Sequence, residues 1–241
     1  MNQEISSIFS KRMISGRVDN GANPNGIGYY LGNGSLYTPD YLNVNSEHRL
    51  RFHDMSDWIA NVLNNYGTIL DIGGGPGHLG YWMEKKHPGI TVINSDFSFE
   101  ALKEGLKNYP HMNVNLLAQQ LPFRNDSFEG LLFGDILEHL TPKQAEDSLK
   151  EAYRVLKPAG YIFINIPNRI SWTRKVFEEP THLWIPTIRD MVEALTSISF
   201  KDIHTSTRGF PFSKKLRGII GRDLHLHRLG KSIFIRAIKS S

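Results

Sequence analysis

The chain has 241 residues, enough for one well-buried core, and its 40% hydrophobic and 22% charged content is that of a globular protein rather than a disordered or fibrous one. It has no cysteine, which excludes disulfides, thiolate metal sites and any thiol nucleophile. The net charge of +4 is unevenly spread, with nine Lys or Arg against the single acid Asp223 between Arg208 and Lys239, a run that reads as a solvated basic face or as a grip for an anionic partner.

In chain order, residues 1–45 mix Gly, Asn, Ser and Tyr without a period. They read as an arm or lid ahead of a single domain spanning 46–241. Its tyrosines, Tyr29, Tyr30, Tyr37 and Tyr41, either cover an acceptor or anchor the arm to the body. A helix is expected from Ser46, with Leu50, Met55, Trp58, Ile59, Val62 and Leu63 at helical spacing and Gly67 closing it. Short apolar runs at 68–72, 90–96, 113–118, 130–136 and 160–166 read as strands covered on both faces, with helical patterns between them. One of these helices starts at the capping box Thr141-Pro142-Lys143-Gln144. After Asn168 the order loosens, another helix begins at Thr187 with Asp190, and two strand-like runs, KDIHTST and SIFIRAI, finish the chain. The alternation implies a doubly wound α/β fold with a mostly parallel sheet. No apolar run is long enough to span a bilayer and Met1 to Ser15 does not read as a secretory signal, so a cytoplasmic protein is expected.

The first strand run ends in Asp71 and is followed by Ile72-Gly73-Gly74-Gly75-Pro76-Gly77-His78-Leu79-Gly80, a glycine turn leading into a helix, where open α/β sheets bind ligands. Gly75 to Gly80 also satisfies the G-x-G-x-x-G pattern of dinucleotide binders. A diphosphate there would meet the Asp71 carboxylate and a loop that lacks one amide at Pro76. S-adenosylmethionine carries an ammonium and a sulfonium and no phosphate, so the sign of the charge favours it. Asp96, 25 residues after Asp71, ends the second strand where a carboxylate accepts bonds from ribose hydroxyls; its structural alternative is a helix cap, for which Ser98 is equally suited.

The segments LDIGGGPGHLG, NSDFSFEAL, QQLPFRNDSFEGLLFGDILEHL and EAYRVLKPAGYIFINIPN, over about residues 66–168, resemble the successive motifs of class I S-adenosylmethionine-dependent methyltransferases, especially the ubiquinone-type small-molecule group. The resemblance implies a seven-stranded, mostly parallel Rossmann-like sheet with an antiparallel C-terminal strand. It implies that Asp71, Gly73, Gly75 and Gly77 line the methionine end of the cofactor, Asp96 the ribose, Phe97 one face of the adenine, and Gln119, Gln120 and Leu121 its edge. Asp135 and Ile136 would border the methionine moiety and the acceptor. The chain departs from the family at Leu117, where an acidic residue commonly receives the adenine amino group, so recognition falls to Gln119, Gln120 or backbone groups.

Methyl transfer from a sulfonium needs alignment, dryness and, for a hydroxyl acceptor, a base. His139 with Glu138 is the nearest candidate pair, the alternative being a structural tie between loop and helix. Asp135, Glu138 and His139 form a D-x-x-E-H cluster similar to the E-x-x-E-H set of metal-assisted methyltransferases, with His182 further on, but the expectation is that no metal is bound. The expected activity is methylation of an oxygen or nitrogen on a small metabolite. The alternatives are an RNA methyltransferase gripping phosphates through the basic C-terminal run and a cofactor-binding protein without turnover. No membrane partner is expected and oligomeric state is left open.

Overall fold

The computed structural model describes residues 46–107, 109, 112–171, 181–208 and 230–240. The expected arm and its tyrosines, and most of the basic run, lie outside these residues. The elements are α1 (Ser46–Val62), β1 (Gly67–Ile72), α2 (His78–Lys86), β2 (Ile90–Asp96), α3 (Phe99–Leu106), β3 (Met112–Asn115), β4 (Phe128–Gly134), a 3-10 turn at Leu137–His139, α4 (Pro142–Val155), β5 (Leu156–Pro167), α5 (Ile188–Ser197), β6 (Phe200–Arg208) and β7 (Ser232–Lys239). The strands form one seven-stranded sheet in the order β3-β2-β1-β4-β5-β7-β6. β1 to β5 pair in parallel, and β7 runs antiparallel to both β5 and β6. The doubly wound fold with an antiparallel C-terminal strand is therefore present.

Successive strand side chains point to opposite faces, and the two cores follow that alternation. Leu70, Leu131, Phe133, Ile162 and Ile164 pack on the face covered by α4 and α5, among Leu149, Ala152, Met191 and Leu195. Ile69, Val92, Leu132 and Phe163 pack on the other face with Met55 and Ile59 of α1 and Leu79 and Met83 of α2. Both faces are dry, which is why the strand runs read as continuously apolar.

α4 starts at the expected capping box, Thr141 accepting from Gln144 and Gln144 from Thr141, and α5 starts with the equivalent Thr187–Asp190 pair. β5 begins at Leu156 rather than 160, and three other boundaries differ from the sequence reading for a reason visible in the backbone. The first helix ends at Val62 rather than running to Gly67, because Asn64 and Asn65 adopt left-handed backbone (φ 53 and 58) and Gly67 opens β1. β4 spans Phe128–Gly134 rather than 130–136, because Asp135 turns left-handed at φ 54. β3 ends at Asn115 rather than 118, because Leu117 leaves the ladder for an isolated bridge with Gln120. Among the described residues no helix is long and apolar enough to cross a membrane.

Candidate active site at the parallel strand ends

The sheet order reverses between β1 and β4, and the loops leaving the carboxyl ends of neighbouring strands there diverge to opposite faces, opening a crevice. Gly73, Gly75 and Gly77 all have positive φ (74, 55 and 86), so the turn from β1 into α2 is open only to glycine at these three positions. A Cβ on Gly73 would stand 2.5 Å from Ile136 Cδ1, which brings the turn after β4 against the loop after β1. On its other side the loop rests on α3, where a Cβ on Gly105 would stand 2.2 Å from the Pro76 carbonyl oxygen.

Every backbone N–H from Gly73 to Gly77 is already spent within the protein. Gly73 and Gly74 donate to the Ser95 carbonyl (2.8 and 3.0 Å), Gly77 donates to Gly74 (3.0 Å), and Pro76 has no N–H to give. Gly75 donates to Asp96 Oδ2 at 2.9 Å. A diphosphate cradle needs those amides free and aimed outward. The loop here is instead folded inward around two carboxylates.

Asp71 is 3% exposed and lies beneath the loop. Burial, reinforced by the field of Asp96, pushes its carboxyl up to about 7. Asp96 ends β2 and is also raised by burial, although the Ser98 and Gly75 amides pull the other way. Its Oδ1 accepts from Ser98 N at 2.8 Å. The helix cap is Ser98, whose Oγ accepts from Ala101 N at 3.2 Å, so Asp96 is not needed for that role and its carboxylate faces the loop.

The other residues that the sequence brought forward follow the carboxyl ends of β2, β3 and β4. Phe97 follows Asp96 and is 38% exposed, a high figure for a large aromatic ring. Gln119 is half-buried, Gln120 exposed and Leu121 buried, in the tight turn after β3. Leu117, at the position where the resembled family commonly carries an acid, is 57% exposed. Asp135 and Ile136 sit half-buried at the end of β4. Asn165 Nδ2 donates to Asp135 Oδ1 at 2.5 Å, and the Asp135 amide donates to the Asn165 carbonyl at 2.9 Å, which together hold the left-handed turn.

Glu138 and His139 lie in the 3-10 turn beyond. Glu138 is 1% exposed, and its backbone carbonyl accepts from the amides of Leu183 (2.8 Å) and Trp184 (3.1 Å), tying this turn to the later loop. His139 Nδ1 is 3.2 Å from the Thr181 carbonyl, and its ring centroid is 5.0 Å from that of His182. A carbonyl only accepts, so this contact places the neutral-ring hydrogen on Nδ1 and leaves the Nε2 lone pair as the basic site. One ligand atom from each of Glu138, His139 and His182 falls within 4.8 Å of the others, and Asp135 is not part of that group. The D-x-x-E-H pattern thus contributes two of its three residues to a cluster completed by His182.

Several supporting residues did not emerge from the sequence. Asn94 Nδ2 donates to the Gly75 carbonyl at 2.9 Å and to Asn113 Oδ1 at 2.7 Å, bracing the loop from below. On α4, Glu151 accepts from the Leu121 amide at 2.9 Å, and Arg154 donates to the carbonyls of Leu121 (2.9 Å) and Phe123 (2.8 Å). The Arg154 guanidinium in turn holds Glu151 below the usual carboxylate range. These two side chains fix the turn that carries Gln119 to Leu121.

A glycine loop whose amides from Gly73 to Gly77 are used within the protein, set over two buried carboxylates at the reversal of a seven-stranded sheet, suits a cationic methyl donor better than a diphosphate, and the comparisons with known proteins give the class of enzyme as methyltransferase. Residues 70–164 match a family model described as a methyltransferase domain. Over 187 residues, 69% of this chain and 71% of the relative, the chain is 30% identical to the ubiquinone/menaquinone biosynthesis C-methyltransferase UbiE of Legionella pneumophila (strain Corby). A shorter match to the protein of the same name from Desulfotalea psychrophila is 34% identical over 97 residues and spans 39% of each chain. Among solved structures, a Thermotoga maritima methyltransferase described as a possible histamine N-methyltransferase superposes with a TM-score of 0.66 at 18% identity, covering 89% of this chain and 98% of that one, which is a likeness of fold. The chain belongs to the class I S-adenosylmethionine-dependent methyltransferases, in the ubiquinone-type group, and its cofactor is S-adenosylmethionine.

Proposed function

We propose that the donor lies along the Gly73–Gly77 loop with its ribose hydroxyls on Asp96 and its adenine against Phe97, edged by Gln119, Gln120 and Leu121. Its methionine end then reaches Asp71, Asp135 and Ile136, and a small-molecule acceptor lies over the turn after β4. The observation that carries this reading is the spent loop: the amides of Gly73, Gly74, Gly75 and Gly77 are all committed within the protein, that of Gly75 to Asp96, and the loop lies on two carboxylates, which suits a ligand that brings positive charge and hydroxyls rather than phosphate. Asp96 accepts the Gly75 amide on Oδ2 and the Ser98 amide on Oδ1, with a further backbone bond from Phe97, and a carboxylate's roughly four lone-pair sites leave room for a ribose hydroxyl.

In the reaction the acceptor atom attacks the methyl carbon in line with the sulfur. The carbon–sulfur bond breaks with its electron pair going to sulfur, and the proton lost by the acceptor goes to His139 Nε2. The donor, when bound, would supply the methyl group from its sulfonium, and the positive charge lost at sulfur would reappear on the His139 ring as it takes the proton. The protein supplies alignment and a dry site, and the Thr181 carbonyl holds the His139 ring in the tautomer a base requires. The names of the relatives specify C-methylation in ubiquinone and menaquinone biosynthesis. They add carbon on a quinone-type ring to the oxygen and nitrogen acceptors expected from the sequence, and a hydroxyl or ring-carbon acceptor that must lose a proton would give it to His139.

The test is to incubate the chain with methyl-labelled donor and either a metabolite extract or total RNA. Label is expected in a small organic product. Label appearing in RNA alone would overturn the acceptor class.

A further inference from the structure

Asp71, Asn94 and Asn113 are directly opposite one another across β1, β2 and β3, and β4 presents Leu132 to Asp71 from the other side. The result is a polar row on an otherwise apolar sheet face, immediately under the glycine loop. Asn94 is fully buried. Its amide orientation is fixed by the Gly75 carbonyl, which accepts and never donates, so the nitrogen is the atom toward Gly75 and the oxygen the atom beside Gly74. That oxygen has no hydrogen-bond partner. It stands 2.1 Å from the point where a Cβ on Gly74 would be, and Asp71 Oδ2 stands 2.7 Å from the same point. Two buried oxygens, each an acceptor, thus converge beside Gly74. An ionised Asp71 would leave both without a hydrogen between them, and a protonated Asp71 supplies the missing donor.

We propose that Asn94 is a positioning residue for the cofactor site: its amide oxygen receives the proton that Asp71 keeps while the crevice is empty, and arrival of the cationic donor expels that proton to solvent. The inference rests on the donor lying against the Gly73–Gly77 loop. The titratable groups at the loop end of the elements around Asp71 are Asp96 on β2, Asp135 after β4 and His78 at the start of α2, while Glu84, Lys85 and Lys86 lie at the far end of α2 and Glu129 near the opposite end of β4. Asp96 is the one whose field adds to burial in pushing the Asp71 carboxyl up to about 7. A nearby cation acts in the opposite sense and favours the carboxylate. Gly74 interposes no side chain between Asp71 and the crevice, so the field of the ligand ammonium is felt at short range. Binding is then linked to loss of a proton, and it tightens as pH rises toward neutrality.

The experiment is titration calorimetry of the full chain with adenosylhomocysteine at pH 6 and pH 8.5, in paired buffers of different ionisation enthalpy. The expected result is release of about one proton per ligand at pH 6, falling to near none at pH 8.5. Asn94→Ala removes the accepting oxygen, so release at pH 6 should fall to less than half the wild-type value. Asn94→Ser, whose hydroxyl is too short to reach, substitutes if the alanine variant does not fold. A carbon-13 titration of the Asp71 carboxyl in the empty protein gives the same midpoint without ligand. Binding without proton release at pH 6 would refute the proposal and leave the donor site standing. Release unchanged in the Asn94 variants would remove Asn94 from the role. No binding heat at any pH would defeat the donor placement and the proposal together.

Discussion

Asp71→Asn separates what this carboxylate costs the fold from what it contributes to binding. A group raised from 3.8 to about 7 is protonated in the native state over a range where the unfolded chain has already released its proton. The unfolded state therefore binds fewer protons than the native state between pH 4 and 7, and native stability falls as pH rises through that window, levelling off above it. The full span corresponds to roughly 4 kcal/mol. Asparagine copies the neutral acid in size and shape and never ionises, so the variant should match wild type near pH 4 and exceed it by up to about 4 kcal/mol at pH 8. For a chain of this size that is a Tm difference on the order of 10 °C. The same change removes the charge that attracts the donor, so adenosylhomocysteine affinity should drop by 10-fold or more (about 1.4 kcal/mol). The assay is thermal unfolding of both proteins from pH 4 to 8 without ligand, read as a difference so that the other carboxylates cancel. A difference that stays flat with pH, or a variant less stable than wild type at pH 8, would refute the reasoning.

His139→Ala should lower turnover by about 10²- to 10⁴-fold with donor affinity nearly unchanged, measured as kcat beside a calorimetric Kd; unchanged turnover would remove His139 from the base role. Gly105→Ala puts a methyl group 2.2 Å from the Pro76 carbonyl oxygen, where only backbone can give way. Its overpacking should cost about 1–3 kcal/mol and weaken donor binding, because the displaced residue belongs to the loop; a variant with wild-type Tm and Kd would show that this contact is slack. Treatment with a chelator should leave turnover unchanged, since the proposed transfer uses His139 as a base and no metal. Lost activity restored by added zinc would reassign Glu138, His139 and His182 as ligands.

The sequence carried the fold because its signals were local and redundant. Apolar runs mark doubly covered strands, the Thr141 and Thr187 capping boxes mark helix starts, and positive-φ glycines mark the loop after β1. It brought Asp71, Asp96 and His139 forward as candidates because each ends or follows a strand at a recognisable distance. It did not carry what those residues touch. That Gly75 N–H is used by Asp96, or that Thr181 sets the His139 tautomer 42 residues away, depends on packing between segments far apart in the chain. Asn94 and Asn165 left a trace, since asparagine is a poor strand former and each interrupts an apolar run, but the trace does not say which partner repays the cost. Glu151 and Arg154 left none, because on an amphipathic helix an acid followed three residues later by a base reads as an ordinary surface pair. The boundary errors at Asn64, Leu117 and Asp135 share one cause: left-handed or bridging backbone set by tertiary contacts that composition does not announce.

The direct test of the cofactor site is a crystal structure of the chain grown with adenosylhomocysteine and, separately, with NAD. The account predicts a nucleoside whose ribose hydroxyls lie within hydrogen-bond distance of the Asp96 carboxylate and whose ammonium points toward Asp71, with the NAD crystals showing no nucleotide there. An empty crevice with adenosylhomocysteine, or a diphosphate seated on the Gly73–Gly77 loop, would contradict it.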